Sequence, residues 1–339
     1  MNECLKDTIL KPLIYKNTLS KVNFSPPLHE TQPRGYAYEI DKHFVHFYGR
    51  DNGLWVISSG LTTTEGKSGT IIDWITTTFG ATDVGTGARE VGETVAGVWR
   101  PGIFHYEDIR TALATTDSDR HEALQSVRLL LDRLDELFLY VEPGPASLNT
   151  YSHKTRELLI LACTEVENAW TRYMREAKAT PGGKDYNTND YVKLLAPLFL
   201  GEFQLMLKAF PGVAPSRPFH SWTAAQPTKS LPWYDSYNQT KHDRNTHFYK
   251  ATLKNCIDAV AAHLVMFSVR FSPYPLYNEG GTISALFAQL FEIELKDCKP
   301  ETFYIPLIKF PDNPNLSLIV IDSANQKMVQ PWTVRPFSL

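Results

Sequence analysis

The chain has 339 residues, 43% hydrophobic and 12% aromatic, with a formal net charge of −3 at pH 7. That apolar content suffices for a globular core of about two domains and excludes extended disorder. The balanced charge, without a basic block, excludes a large electrostatic footprint for nucleic acid while leaving room for a small local one.

In chain order, residues 1–34 read as irregular, with Pro26, Pro27 and Pro33 as breakers. Tyr36, Tyr38 and Ile40 then alternate with small or polar residues, and Phe44 to Phe47 and Leu54 to Ile57 follow around an Asp51-Asn52-Gly53 turn. That pattern predicts a small antiparallel hairpin or meander. A short helix is expected at Ile71 to Phe79. The Gly/Thr-rich stretch 80–97 gives no firm pattern. Helices are expected at Tyr106 to Ala114, from Ser118 to about Val141, and from Asn149 or Ser152 to about Ala177, where Pro181-Gly182-Gly183 stops the last. A short helix toward Leu195 and a strand at Phe203 to Leu207 come next. Pro232 suits a helical first turn, and helical spacing continues from Trp233 to about Phe271. A helix at Ile283 to Leu295 and strands at Phe303 to Phe310, Leu316 to Ile321 and Met328 to Val334 complete the reading. The expected fold is mainly α with β additions: a helical bundle (residues 106–297) flanked by small β-rich segments (1–105 and 298–339).

Cys4, Cys163, Cys256 and Cys298 form no C-x-x-C pair, so reduced thiols are expected rather than a disulfide framework or zinc site. Glu3, Lys6 and Asp7 interrupt the run a signal peptide would need. The most apolar long stretch, Ile257 to Phe271, carries Asp258, His263 and Arg270. A cytoplasmic protein with no membrane contact, no cofactor and no metal is the expectation.

The most informative stretch is Trp233 to His247. At about 100° per residue, Asn238, His242, Asn245 and Tyr249 share one stripe, which continues into Cys256, Val260, His263 and Phe267 as the expected buried face. In a continuous helix Arg244 points away from this stripe, and a break near Asp243 would turn it. Glu165 falls in the middle of the apolar face of the 149–177 helix, with Glu167 opposite. A carboxylate there is expensive unless paired, so Glu165 is expected to reach His242, Lys241 or an amide of the polar stripe. A satisfied core network that fixes helix register is the plainer reading of the same residues.

Tyr237-Asn238-Gln239-Thr240-Lys241-His242 resembles the motif region of HEPN-domain proteins, helical proteins common among prokaryotic RNases, toxins and abortive-infection proteins. The likeness covers roughly residues 118–271. It implies Asn238 at the polar position and His242 as catalytic histidine, acting on the RNA 2′-hydroxyl and scissile phosphate across a dimer interface. Tyr237 stands where the family has Arg, which leaves Lys241 or Arg244 to supply the positive charge. The implied function is a metal-independent RNase, or a degenerate relative, in prokaryotic defence or stress response, with RNA as substrate and a homodimer as assembly. Such chemistry needs a base near pH 7 and a cation for the phosphorane. The alternative is a non-catalytic helical interaction protein that dimerises.

A third reading is a nucleotide-binding enzyme. Gly60-Leu-Thr-Thr-Thr-Glu-Gly-Lys67-Ser68 approaches a P-loop with one residue too many between its glycines. Gly85-Thr86-Gly87 is an isolated Gly-rich turn. His43 and His46 fall on opposite faces of a strand. His263 reads as a hydrogen-bonded core residue, and Cys163 and Cys256 as small packed side chains.

Overall fold

A computed structural model describes residues 10–21, 23–54, 56–103, 106–278, 281–308, 317–319 and 329–339. In chain order its elements are β1 (Leu13–Lys16), α1 (Leu28–Thr31), β2 (Arg34–Ile40), β3 (His43–Gly49), β4 (Ile57–Gly66), α2 (Ile71–Phe79), β5 (Thr82–Thr86), β6 (Glu93–Val95), α3 (Tyr106–Ala112), α4 (Asp117–Phe138), α5 (His153–Glu176), α6 (Thr188–Tyr191), β7 (Phe203–Leu207), α7 (Pro232–His242), α8 (Arg244–His247), α9 (Leu253–Phe271), α10 (Pro275–Asn278), α11 (Thr282–Leu290), β8 (Phe291–Leu295), β9 (Ser317–Ile319) and β10 (Thr333–Arg335). Over the described residues these form two compact units. One draws on Met1–Val95, Arg100–Ala114 and Asp297–Arg335, the other on Ala96–Trp99, Thr115–Lys296 and Pro336–Leu339.

The first unit is organised by an antiparallel sheet of order β5-β1-β2-β3-β4-β9. Successive side chains of a strand face opposite ways. Tyr36, Tyr38, Val45 and Phe47 therefore enter one core with Phe303, Ile305 and Ile308. Ala37, Phe44 and Tyr48 enter another with Tyr15 and with Trp74, Ile75 and Phe79 of α2. His46 lies in this second layer, fully buried. Its ring stacks on Phe79 at 3.7 Å, and its Nδ1 is 2.6 Å from the Tyr15 hydroxyl. His43, a strand step of three away, is only half-buried.

A six-stranded sheet with a core on each face is a structural layer in its own right. The expected helical bundle flanked by small β-rich segments is therefore incorrect. The physical reason is that strands covered on both faces lose the clean inside/outside alternation by which a sheet is recognised.

Part of the P-loop-like stretch is the strand β4. Thr62, Thr63 and Thr64 pair with Phe47, His46 and Val45 of β3 and also with β9. Amides engaged in two ladders are not available to cradle a phosphate. In the tail, Phe303 to Ile308 is not a strand, and Pro306 interrupts it. Tyr38 compensates by donating to the Pro306 carbonyl at 3.0 Å and accepting from the Ile308 N–H at 2.9 Å. β9 and β10 cover parts of the other two expected tail strands, and β10 pairs in parallel with β6. Lys309, Phe310, Leu316, Val320, Ile321 and Met328 of those readings, like Cys4, lie outside the described residues.

In the second unit α4, α5 and α9 pack against one another, and α7 packs on α5 and α9. Caps set the starts. Thr116, not Ser118, accepts the Asp119 N–H at 3.1 Å, and Ser152 forms a reciprocal box with Thr155. The expected 283–295 helix stops at Leu290. Phe291, Ile293 and Leu295 then alternate as β8, antiparallel to β7. Trp170 on α5 is fully buried at the heart of the unit. It stacks on Trp222 with ring centroids 4.9 Å apart and lies against Trp233, Tyr234, Tyr191 and Phe219.

Removing that ring should open a cavity that neighbouring aromatics cannot collapse into. Trp170→Ala is expected to lose about 3–5 kcal/mol in urea denaturation followed by tryptophan fluorescence. Leu139→Ala, at a position 80% exposed, should change stability by less than ~0.5 kcal/mol. Equal effects at the two positions would contradict this description of the core.

Candidate functional site

The expected helix from Trp233 to Phe271 is three pieces. Pro232 opens α7 at its first turn. Asp243 leaves helical geometry (φ −137°, ψ 83°), and its carboxylate accepts the Thr246 N–H at 3.1 Å, capping α8. Phe248–Lys250 forms a 3-10 turn, and Thr252 caps α9 by accepting from the Asn255 N–H at 3.3 Å. The two restarts shift the helical phase, so the buried face of α9 cannot be traced back into α7.

The buried face of α7 is Trp233, Tyr234, Ser236, Tyr237 and Thr240. The Trp233 indole donates to the Pro218 carbonyl at 2.9 Å. Asn238 is half-buried, while His242, Arg244, Asn245 and Tyr249 are exposed. The α7–α8 part of the stripe expected to face the core is turned to solvent, whereas Cys256, Val260, His263 and Phe267 on α9 are buried as expected.

Glu165 does not join that stripe. It is half-buried and accepts from the Ser126 hydroxyl of α4 at 3.2 Å. The carboxylate that meets α7 is Glu167, which the sequence placed on the opposite side. Its Oε2 accepts from the Tyr237 hydroxyl at 3.0 Å and its Oε1 from the Tyr234 hydroxyl. Lys241 donates its Nζ to the Tyr237 hydroxyl at 2.8 Å, with the ammonium 5.0 Å from the ring centroid. Burial, then the charge of Glu167, pushes the Tyr234 phenol up. Burial also pushes Tyr237 up, and the bond to Tyr237 pushes Lys241 up. All three side chains therefore keep their protons at neutral pH. Tyr237, at the position where the HEPN motif has Arg, is a structural member of this chain of bonds, and the cation of Lys241 is engaged in it.

Beyond this network the C-terminal end of α7 meets the start of α5. Arg156 donates Nε and Nη2 to the Thr240 carbonyl at 3.3 and 3.0 Å, closing the end of α7. The Phe248 ring packs against Tyr151 at 5.5 Å and His153 at 4.8 Å, and the Arg244 guanidinium lies 5.7 Å from the same ring. The resulting face presents Lys241, Arg244, Lys250, His153, His242 and His247 with the exposed rings of Tyr151 and Tyr249. Its acids are Asp235, bonded to Gln239 at 2.6 Å, and Asp243, engaged as a cap. Among the described residues neither His242 nor Asn238 has a side-chain hydrogen bond or ion pair.

Glu165 instead lines a cleft of about 270 Å³ between α4, α5 and α9. Each helix contributes a stripe at helical spacing: Asp119, Glu122, Ala123 and Ser126; Glu165, Asn168, Ala169, Arg172 and Tyr173; His263, Met266, Phe267, Arg270 and Phe271. His263 is buried, and neither ring nitrogen has a partner among the described residues. His263, expected to be a hydrogen-bonded core residue, is buried on the wall of the cleft with no bond to a described residue. The repeat of polar residues at Glu165, Asn168 and Arg172 was the readable signal for this face of α5, obscured by the apolar residues between them. Cys163 and Cys256 are buried, and Cys256 donates its thiol to the Thr155 carbonyl at 2.9 Å. Burial pushes both thiols up, away from the reactive thiolate.

These features define an α+β protein of two units, whose helical unit carries an exposed basic, histidine-bearing face and a separate cleft of mixed charge. No family model, curated protein or solved structure matches the chain. Among the described residues no group of three His, Cys, Asp or Glu side chains is placed to hold a metal, and no helix is long and apolar enough to cross a membrane.

Two outcomes follow. Glu167→Ala would leave the Tyr234 and Tyr237 hydroxyls without their acceptor and is expected to cost about 1–3 kcal/mol, whereas Glu165→Ala, which frees only a serine hydroxyl, should cost less. Thermal unfolding of the two variants ranks them, and the reverse order would refute the assignment. The second outcome concerns acid. Burial lowers the His263 pKa to about 4, against about 6.5 in an unfolded chain. The unfolded state therefore takes up the proton first. The stability associated with neutral His263 is complete above about pH 6.5 and is lost as pH falls toward 4. His46, lowered by burial too, acts in the same sense. His263→Leu should therefore be more stable than the parent at about pH 5, with a shallower acid slope in pH-dependent unfolding. An unchanged slope would contradict it.

Proposed function

We propose that the exposed face at the junction of α7, α8 and the start of α5 is an RNA-binding surface that acts in the manner of HEPN-type RNases, with His242 transferring the proton and Arg244 neutralising the phosphate. The observation that carries this reading is the state of His242 and Asn238. Both motif residues are accessible and free of intramolecular partners among the described residues, on a face where cations outnumber acids. A buried, bonded network would have consumed them, as one has consumed Tyr237 and Lys241. Arg244 replaces the motif arginine in this reading because the break at Asp243 carries it onto a separate short helix beside His242. Exposed Tyr151 and Tyr249 supply stacking surfaces for unpaired bases. No metal is required, since the imidazole supplies acid–base chemistry and the guanidinium supplies charge. A second copy of the chain would complete the site, as the motif implies.

The substitution of Tyr237 for Arg favours a second reading, in which the same face binds RNA without cutting it. Binding and cleavage are therefore measured separately. Fluorescence anisotropy with a single-stranded RNA should show salt-dependent binding. Arg244→Ala should weaken that binding across sequences and reduce the salt slope by about one. Cleavage in the presence of EDTA should fall about 100-fold or more in His242→Ala, with little change in unfolding temperature because the side chain is exposed. Binding without cleavage would leave the second reading standing. Absence of RNA binding at low salt would end both.

A further inference from the structure

The cleft between α4, α5 and α9 is separate from the His242 face, and its chemistry differs. Its two cations each have an acidic partner. Arg270 makes a bidentate pair with Glu176 at 2.6 and 2.7 Å and lies 5.5 Å from the Tyr173 ring centroid. Arg172 sits at the rim, 3.9 Å from Asp119. Its carboxylates are less well served. Glu165, half-buried, has only the Ser126 hydroxyl, and Glu122, exposed at the edge of the cleft, has no partner among the described residues. Two acceptor-only groups thus face a space whose floor is Met266, Phe267 and Phe271. Glu165, half-buried beside this apolar floor, retains a demand for a charged donor, because water is partly excluded and no described cation bonds it.

His263 is an independent sign. It is 6% exposed, stands on the α9 stripe that forms the wall, and has both ring nitrogens without partners among the described residues. Buried polar groups are nearly always bonded, and the exceptions concentrate where a partner is missing. The volume of about 270 Å³ is at the small end for ligand sites, which selects a compact molecule over a peptide.

We propose that this cleft binds a small organic cation, an amine or guanidinium carried on a compact apolar body. The cationic head pairs with Glu165 and Glu122, and the body lies on Met266, Phe267 and Phe271. An anionic ligand of the same shape is rejected, because both free acceptors would repel it.

The test uses the full chain and three probes of one shape: phenethylamine, 2-phenylethanol and phenylacetate. Calorimetric titration should give saturable binding of phenethylamine with a Kd of about 1 mM or tighter, within reach of a fragment of this size. The alcohol should bind more weakly and phenylacetate about tenfold or more worse than the amine. Glu165→Gln should weaken the amine by about tenfold, whereas Glu157→Gln, an exposed carboxylate elsewhere on α5, should leave it unchanged. Ala169→Leu, which fills the cleft without touching a charge, should abolish binding while circular dichroism stays that of the parent. The proposal is overturned if phenethylamine shows no saturable binding, if phenylacetate binds as tightly, or if Glu165→Gln has no effect. RNA is absent from these titrations, so their failure leaves the His242 reading as it was, and failure of RNA binding leaves this one.

Discussion

The rotation of α5 about its own axis is the constraint on which the helical unit depends. Trp170 is fully buried among rings from three other segments, and a side chain of that size fits in one orientation. Once Trp170 is seated, the helical step places everything else on α5. Glu167 lies nearly one turn earlier, on the side of α7, and receives the Tyr234 and Tyr237 hydroxyls. Glu165, two residues before it and so about 200° around the helix, is carried to the side of α4 and the cleft. Arg156 closes the end of α7 from the same helix. One buried indole therefore decides which carboxylate becomes structural and which is left facing a space.

The sheet unit works by a different economy of polar groups. Its central strands β2 and β3 are covered on both faces, so water cannot satisfy what their ladders leave over. Tyr38 reaches the irregular segment around Pro306 and serves as donor and acceptor where a strand would have paired. His46 is held neutral between Tyr15 and Phe79, its affinity for a proton lowered by burial. The threonines of β4 that looked like a phosphate-binding loop are buried among strands. Their backbone groups pair with β3 and β9.

Within the helical unit, function follows from which polar groups the packing has used. The Tyr237–Lys241–Glu167 chain of bonds takes two positions of the motif region into the structure. His242, one residue past Lys241, is left out of it because α7 ends there. The cleft repeats the contrast, since Arg270 is paired through both terminal nitrogens with Glu176 while Glu165 and His263 have no such charged partner among the described residues. Both regions become candidates by the same test: a polar side chain that the fold has positioned but not satisfied.

Much of this was legible in the sequence. The Ser152 cap, Pro232 at a first turn, the Phe203 to Leu207 strand, the Ile71 to Phe79 helix and the period-two run from Tyr36 follow from local rules that need only a few neighbouring residues. The F-E-I-E-L alternation of β8 was equally readable but was overrun by the helical spacing before it. What the chain by itself could not determine was phase and partnership. The stripe from Asn238 to Phe267 was continuous in projection, and only caps at Asp243 and Thr252, supported by the Leu253 N–H on the Thr150 carbonyl, broke it. Glu165 and Glu167 are chemically identical choices two residues apart. Their roles were settled by the seating of Trp170, an event of tertiary packing among rings drawn from residues 170, 191, 219, 222, 233 and 234. Local sequence sets where helices and strands can start and stop. Which face of each becomes core is decided by long-range burial, because that free energy belongs to contacts and not to residues.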